Sequence, residues 1–312
     1  MLLACVMLFS ILSVSLFSCS EDGADTNDGE IAFEDALGRE ISVKKHPKRV
    51  AALLGSFADI WLLSGGELCA APEDAWEDFG LELDGAVNIG GAHSPSLELL
   101  ISAEPDFVIA SASTAADVEM KDTLLAMGIS VAYFDVDSFE DYLAMLNICT
   151  DITERKDLYK KNGTDLEAKI EKIKSDYKAL DIPDEQRRVL LLRASSTTVK
   201  AKGSRGTILG EMLYDMGCIN IADKNGTLLE NLSVEAVIKE EPYHVLVVTM
   251  GSNTEKAVQS LENMIKENPA WSTLGAVREG ILSIMDKTFF NLKPNSRWAE
   301  SYEKLYETLT KN

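Results

Sequence analysis

The sequence predicts an α/β protein of two lobes with mostly parallel sheets, joined by one long helix. Three observations predict it: an internal repeat, short apolar runs alternating with helix-sized segments, and one amphipathic stretch between the halves. Ser96-Leu-Glu-Leu-Leu-Ile-Ser-Ala-Glu-Pro-Asp-Phe-Val-Ile-Ala110 returns as Ser233-Val-Glu-Ala-Val-Ile-Lys-Glu-Glu-Pro-Tyr-His-Val-Leu-Val247. Ser96/Ser233, Glu98/Glu235, Ile101/Ile238, Glu104/Glu241, Pro105/Pro242 and Val108/Val245 all match at one offset of 137. Each copy reads as a Ser N-cap, a short amphipathic helix, a Pro stop and a buried strand. A solenoid repeats every ~20–50 residues, so a period this long marks a duplicated domain.

The elements follow in chain order. Leu2 to Phe17 is an apolar run with no Lys or Arg before it. It is shorter than the ~20 residues that span a bilayer and suits a signal-peptide core. It ends in Leu16-Phe17-Ser18-Cys19, which resembles the lipobox of bacterial lipoproteins, where the Cys carries the lipid. Residues 1–19 therefore read as a lipoprotein signal, and 20–30, rich in Asp, Glu, Gly and Asn, as a solvated acidic tether.

Residues 31–152 read as the first lobe. Arg49 to Leu54 and Ile129 to Phe134 are short apolar runs of the kind that form buried parallel strands. Phe57 to Ser64 is a helix stopped by Gly65-Gly66. Residues 153–182 form the link. From about Arg155 to Leu180, Leu166, Ile170, Ile173, Tyr177 and Leu180 step by four and three among charged residues. That spacing predicts one helix of ~39 Å, weakened at Gly163 and ended by Pro183. Such a rod is stiff, unlike a Gly/Ser linker, and restricts hinge motion. The second lobe, 183–312, repeats the plan with a strand at Val189 to Leu192 and a helix over Thr207 to Met216 before Gly217.

Composition removes several functions. The 312 residues carry 51 acidic and 30 basic side chains, a net charge of −21, so no nucleic-acid partner is expected. Three His are too few for a zinc enzyme built on several imidazoles, and five Cys without a C-x-x-C pair make no disulfide scaffold. Leu54 is followed by Gly-Ser-Phe-Ala-Asp, not G-x-G-x-x-G, and neither a P-loop nor a G-x-S-x-G elbow occurs.

Residues 31–312 resemble the solute-binding proteins of iron-siderophore, haem and cobalamin ABC importers. Phe33 to Ile41 with Pro47-Lys-Arg-Val50 is similar to that family's opening strands. The paired Glu-containing units and Asn268 to Gly280, followed by Ile281 to Asp286, are similar to its later elements. The resemblance implies two Rossmann-like lobes with a ligand cleft between them and no cofactor or covalent chemistry. It implies as ligand an iron chelate, haem or a corrinoid. It further implies a lipid-anchored monomer on the outer face of the cytoplasmic membrane, delivering to an ABC permease and its ATPase. Glu98 and Glu235 match the acids with which the family docks on Arg residues of the permease. An extracytoplasmic enzyme, or a sensor with the same binding fold, are the competing readings.

In open α/β sheets, ligands gather beyond the carboxyl ends of the strands. Ser56 and Phe57 follow the first strand, and the loop with Lys200, Lys202 and Arg205 follows the Val189 strand. Those cations, with Arg297, suit a carboxylate-bearing or catecholate ligand. Trp76 and Tyr133 are candidate apolar walls. His93 is the best placed imidazole for axial haem-iron ligation, with Met250 and Tyr133 behind it.

Overall fold

The computed structural model describes residues 29–251 and 253–311. The signal run, Cys19 and the tether up to residue 28 lie outside the described residues. The tether is shorter than its composition suggests, because Glu30 already belongs to a strand and pairs with Lys44. That strand, β1 (Glu30–Glu34), forms an antiparallel hairpin with β2 (Glu40–Lys44). Asp35 closes it by accepting from the backbone N–H groups of Leu37 and Arg39 and from the Arg39 guanidinium. Arg39 also donates to the Val131 carbonyl and so ties the hairpin to the first sheet.

The first sheet holds β3 (Val50–Ala52), β4 (Ala70–Ala71), β5 (Val87–Asn88), β6 (Phe107–Ser111) and β7 (Ser130–Phe134), all parallel, in the order β5-β4-β3-β6-β7. In the second, β8 (Arg188–Ala194), β10 (Ile219–Asn220), β11 (His244–Thr249) and β12 (Leu282–Met285) run parallel in the order β10-β8-β11-β12. Only β9 (Val199–Lys202) is antiparallel, paired to β8. The sheets are mostly parallel and helix-flanked, the α/β architecture of two lobes. Both repeat strands, β6 and β11, are buried at every residue, as continuous apolar runs require.

The duplication reaches the level of single hydrogen bonds. Ser96 Oγ accepts from the Leu99 N–H and Ser233 Oγ from the Ala236 N–H, each at 3.3 Å. Both helices stop at a Glu in the left-handed region, Glu104 at φ 48° and Glu241 at φ 45°. The Pro that follows each Glu disfavours right-handed helix there, so the chain must turn out. Arg49 Nε donates to the Ala103 carbonyl and Arg188 Nε to that of Glu240, closing equivalent helix ends from the neighbouring strand. The strand registers agree as well: Val50 faces Phe107 and Val189 faces His244.

The link is helical but not one uniform helix. It runs as Lys156–Tyr159, a π-helical turn over Lys160–Thr164, and Asp165–Lys178. A Cβ on Gly163 would lie 3.1 Å from Leu143 Cδ2, so Gly lets the rod press against the Phe139–Ile152 helix. The Asn162 carbonyl in this turn accepts from the Tyr142 hydroxyl at 2.8 Å, and Asn162 Nδ2 donates to the Leu63 carbonyl at 2.9 Å. The wide turn is thus a fastening to the first lobe. Helix ends at Lys178 rather than Leu180, because Asp181 already turns left-handed at φ 49°. Leu180 is accordingly exposed, not buried. The stretch Asn268 to Gly280 is split into a 3₁₀ turn over Pro269–Thr273 and a short helix over Gly275–Arg278, since Leu274 is extended.

The lobes share a core. One apolar cluster takes in Phe57, Trp61 and Phe139 of the first half, Leu166 and Ile170 of the link, and Leu191, Leu246 and Trp298 of the second. Trp298 opens the last helix, Trp298–Thr310, yet its ring stands 5.8 Å from Phe139 and 6.5 Å from Tyr142. Asn295, just before it, donates from Nδ2 to the Ser56 carbonyl at 2.9 Å and to Asp59 Oδ2 at 2.8 Å. The chain therefore crosses between lobes twice. Large relative motion would expose buried aromatics worth several kcal/mol each. The stiffness read from the link alone has this second source.

Candidate ligand cleft

A cavity of about 670 Å³ lies between the two sheets. Its first wall comes from the loops after β3, β4, β5 and β6: Ser56, then Glu73 to Phe79, then His93, then Ser113 to Ala116. Met250 and Gly251 after β11, and Lys287 with Asn291 to Lys293 after β12, form the opposite wall. Every contributing loop leaves the carboxyl end of a parallel strand, where such folds bind their ligands. A larger groove, about 1010 Å³, runs beside the link past Tyr177, Arg187 and Asp215. It sits at the amino ends of β8 and β10, so position favours the smaller cavity.

Two carboxylates sit at and behind the first wall, Asp74 half-buried in the lining and Asp117 buried beneath it. Asp74 Oδ2 accepts from the Gly55 N–H at 3.1 Å, just past β3, and Asp117 Oδ2 from the Ser111 N–H at 2.9 Å, at the end of β6. In each the other oxygen is buried without a partner. Burial raises both pKa values above the usual carboxylate range, and the backbone donors only partly offset it. Asp117, wholly buried, is pushed up to about 7, with the Asp74 charge adding to the rise.

Gly55 explains how the two loops come together. A Cβ there would fall 2.7 Å from the Ala75 nitrogen and 2.8 Å from the Asp74 carbonyl carbon, both backbone atoms. Gly55→Ala is expected to destabilise the fold by ~1–3 kcal/mol, the range for overpacking, and to weaken ligand binding. Urea melts and ligand titration check this, and a change under about 0.5 kcal/mol would show that the approach is not tight.

On the far side, burial lowers the Lys293 pKa, against the raising effect of Asp137, Asp135, Asp141 and Asp74. Its ammonium stands 5.7 Å over the Phe57 ring. Lys287 Nζ meets Asp78 Oδ1 at 2.8 Å, an ion pair that spans the cleft. Both partners are partly exposed, so the pair contributes about 0–1 kcal/mol and the shared core holds the lobes together.

The expected site residues divide sharply. Ser56, His93 and Met250 line the cavity, His93 and Met250 on opposite walls. Phe57 is fully buried one layer behind, against Phe134. Tyr133 is fully buried too, and its hydroxyl donates to the Asp117 carbonyl at 2.8 Å, so it cannot reach an iron or a planar ligand. Trp76 packs on the core. Lys200 and Lys202 stand on β9, outside the cavity lining. Arg205 is taken by Glu211 and by the Tyr214 ring, 3.5 Å below its guanidinium. Arg297 lies over Phe289 at 4.9 Å. The basic loop and the aromatic walls are therefore not where strand position alone suggests. Sequence reasoning missed Asp74 and Lys293, which line the cavity, and Asp117 and Arg193, whose unpartnered Oδ1 and Nε are buried outside its lining. No local spacing finds them: Asp74 follows β4, two residues long, and Arg193 lies within β8.

Paired parallel sheets, a helical bridge and a cavity walled from both sides define a two-lobed binding protein. The chain belongs to the periplasmic binding protein family, whose profile matches residues 50–288. It is 26% identical over 296 residues to the Fe(3+)-citrate-binding protein YfmC of Bacillus subtilis (strain 168), covering 88% of this chain and 87% of that one. With the uncharacterized ABC transporter substrate-binding lipoprotein YvrC of the same strain it shares 25% identity over 320 residues, covering 99% and 95%. Its fold is similar to that of Staphylococcus aureus SirA complexed with staphyloferrin B, at a TM-score of 0.69 and 19% identity, covering 89% and 98%.

Proposed function

We propose that this protein is an extracytoplasmic lipoprotein that captures a ferric chelate between its lobes and delivers it to an ABC permease and its ATPase. The lobes are assigned to residues 31–152 and 183–312, the lipid to Cys19, and the working form to a monomer on the outer face of the cytoplasmic membrane. One observation carries the ligand class: beside Leu54, Leu292, Met250 and three Ala, the cavity is lined by Ser, Thr, Asp, Glu, Lys, Asn and His93 side chains, and Phe79 is the one Phe, Tyr or Trp among its described lining residues. Haem and corrinoids need broad apolar walls, whereas an iron chelate presents polar oxygens. The Fe(3+)-citrate-binding YfmC and the staphyloferrin B complex of SirA support this reading.

No covalent step is assigned. The ligand bridges the walls and favours one lobe arrangement, which the permease reads. Glu98 and Glu235 are exposed in the first turns of equivalent helices and suit a two-point dock. A thermal-shift panel of ferric siderophores, haem and cobalamin tests the ligand class. A ferric chelate is expected to stabilise by ~2.7 kcal/mol at a hundredfold excess over Kd. Stabilisation by haem or cobalamin alone would overturn the assignment.

A further inference from the structure

The charge of the cleft is the reverse of what the basic loop promised. Four carboxylates, Glu73, Asp74, Glu77 and Asp78, line the first wall, against Lys287 and Lys293 opposite. Lys287 is engaged by Asp78. That leaves three acids facing one cation, and none of these four makes an ion pair within 4 Å. Asp74 Oδ1 is buried with no hydrogen bond at all. The Lys293 ammonium is desolvated at the cavity wall, 5.7 Å from the Phe57 ring, with Asp137 the leading charge among the acids that act on it.

Buried polar groups without partners are costly, and a bound water or ligand would satisfy them. A bare metal ion does not fit, since no three His, Cys, Asp or Glu among the described residues are arranged to hold one. A purely anionic chelate would satisfy Lys293 but would meet three like charges across the cavity. The occupant must reach both walls with opposite chemistry on its two sides.

We propose that the ligand is a ferric chelate bearing a free ammonium group, which Glu73 and Glu77 read with the Asp74 charge behind them, while Lys293 meets the anionic oxygens around the iron. This rests on the ferric-chelate reading above and adds a specificity-determining role for these four side chains. Glu73 and Glu77 are exposed, so their substitution leaves the fold intact.

The test is calorimetric titration of the full chain in detergent with two probes. One is the ferric complex of desferrioxamine B, which keeps a free ammonium, and the other its N-acetylated form, which does not. The ammonium-bearing complex is expected to bind about tenfold more tightly, the weight of one charged hydrogen bond. The gap is expected to close in Glu73→Gln/Glu77→Gln and to narrow in high salt, while Lys293→Gln weakens both probes alike. Equal affinity of the two probes, or tighter binding of ferric citrate than of either, would overturn the charge assignment and leave the ferric-chelate reading standing. Binding of no ferric chelate would overturn both.

Discussion

Reversing both exposed acids, as Glu98→Lys with Glu235→Lys, is expected to abolish uptake in cells while the purified protein keeps its ligand affinity. The two positions are equivalent by repeat, by helix and by place in the first turn. Each carboxylate gains slightly from the helix dipole there. The Glu235 pKa is lowered, by its own backbone N–H first and by the Ser233 hydroxyl second. Reversal forfeits that gain twice over, which is small beside a stability of roughly 5–15 kcal/mol. The fold should survive. Neither residue lines the cavity, so affinity has no reason to change. A permease carrying cations opposite both sites would meet repulsion at each of two contacts. Radiolabelled-iron uptake beside titration of the purified variant separates the effects, and normal uptake by the double variant would defeat the docking role.

Asp117→Asn is expected to stabilise the protein most at pH 8 and by well under half as much at pH 5. The folded Asp117 holds its proton up to about 7, well above the ordinary carboxylate value of 3.8. Between those values the unfolded chain releases the proton and the folded chain keeps it, so stability falls as pH rises through that window and levels off above it. The full penalty is about 4 kcal/mol at most, from roughly three pKa units. Asn keeps an oxygen for the Ser111 N–H and cannot ionise. Denaturant melts of both proteins across pH 5–8 measure the difference. Equal destabilisation by Asn at both ends of the range would show that the ionised carboxylate is itself structural.

Legibility in the sequence followed the kind of force involved. The repeat at Ser96 and Ser233 was readable because caps, stops and buried strands depend on local residue types. It led correctly to paired lobes with mostly parallel sheets. The π turn at Gly163 was only half visible, since Gly signals weakness but not the Leu143 side chain it accommodates. The second crossing at Asn295 and Trp298 was invisible, because partners more than 150 residues away leave no local pattern. For the cleft, strand ends located the loops but not their aim. Tyr133 and Phe57 lie near strand ends and turn inward, and Arg205 is spent on Glu211 and Tyr214. Lys293 sits in a segment whose position depends on the shared core, so no spacing rule finds it.

Anomalous scattering at the iron edge from crystals grown with a tightly bound ferric chelate bears most directly on capture between the lobes. A single iron peak is expected inside the cavity, between the Asp74 wall and Lys293. A peak in the groove beside Tyr177 and Arg187, or bound chelate with none between the sheets, would contradict it.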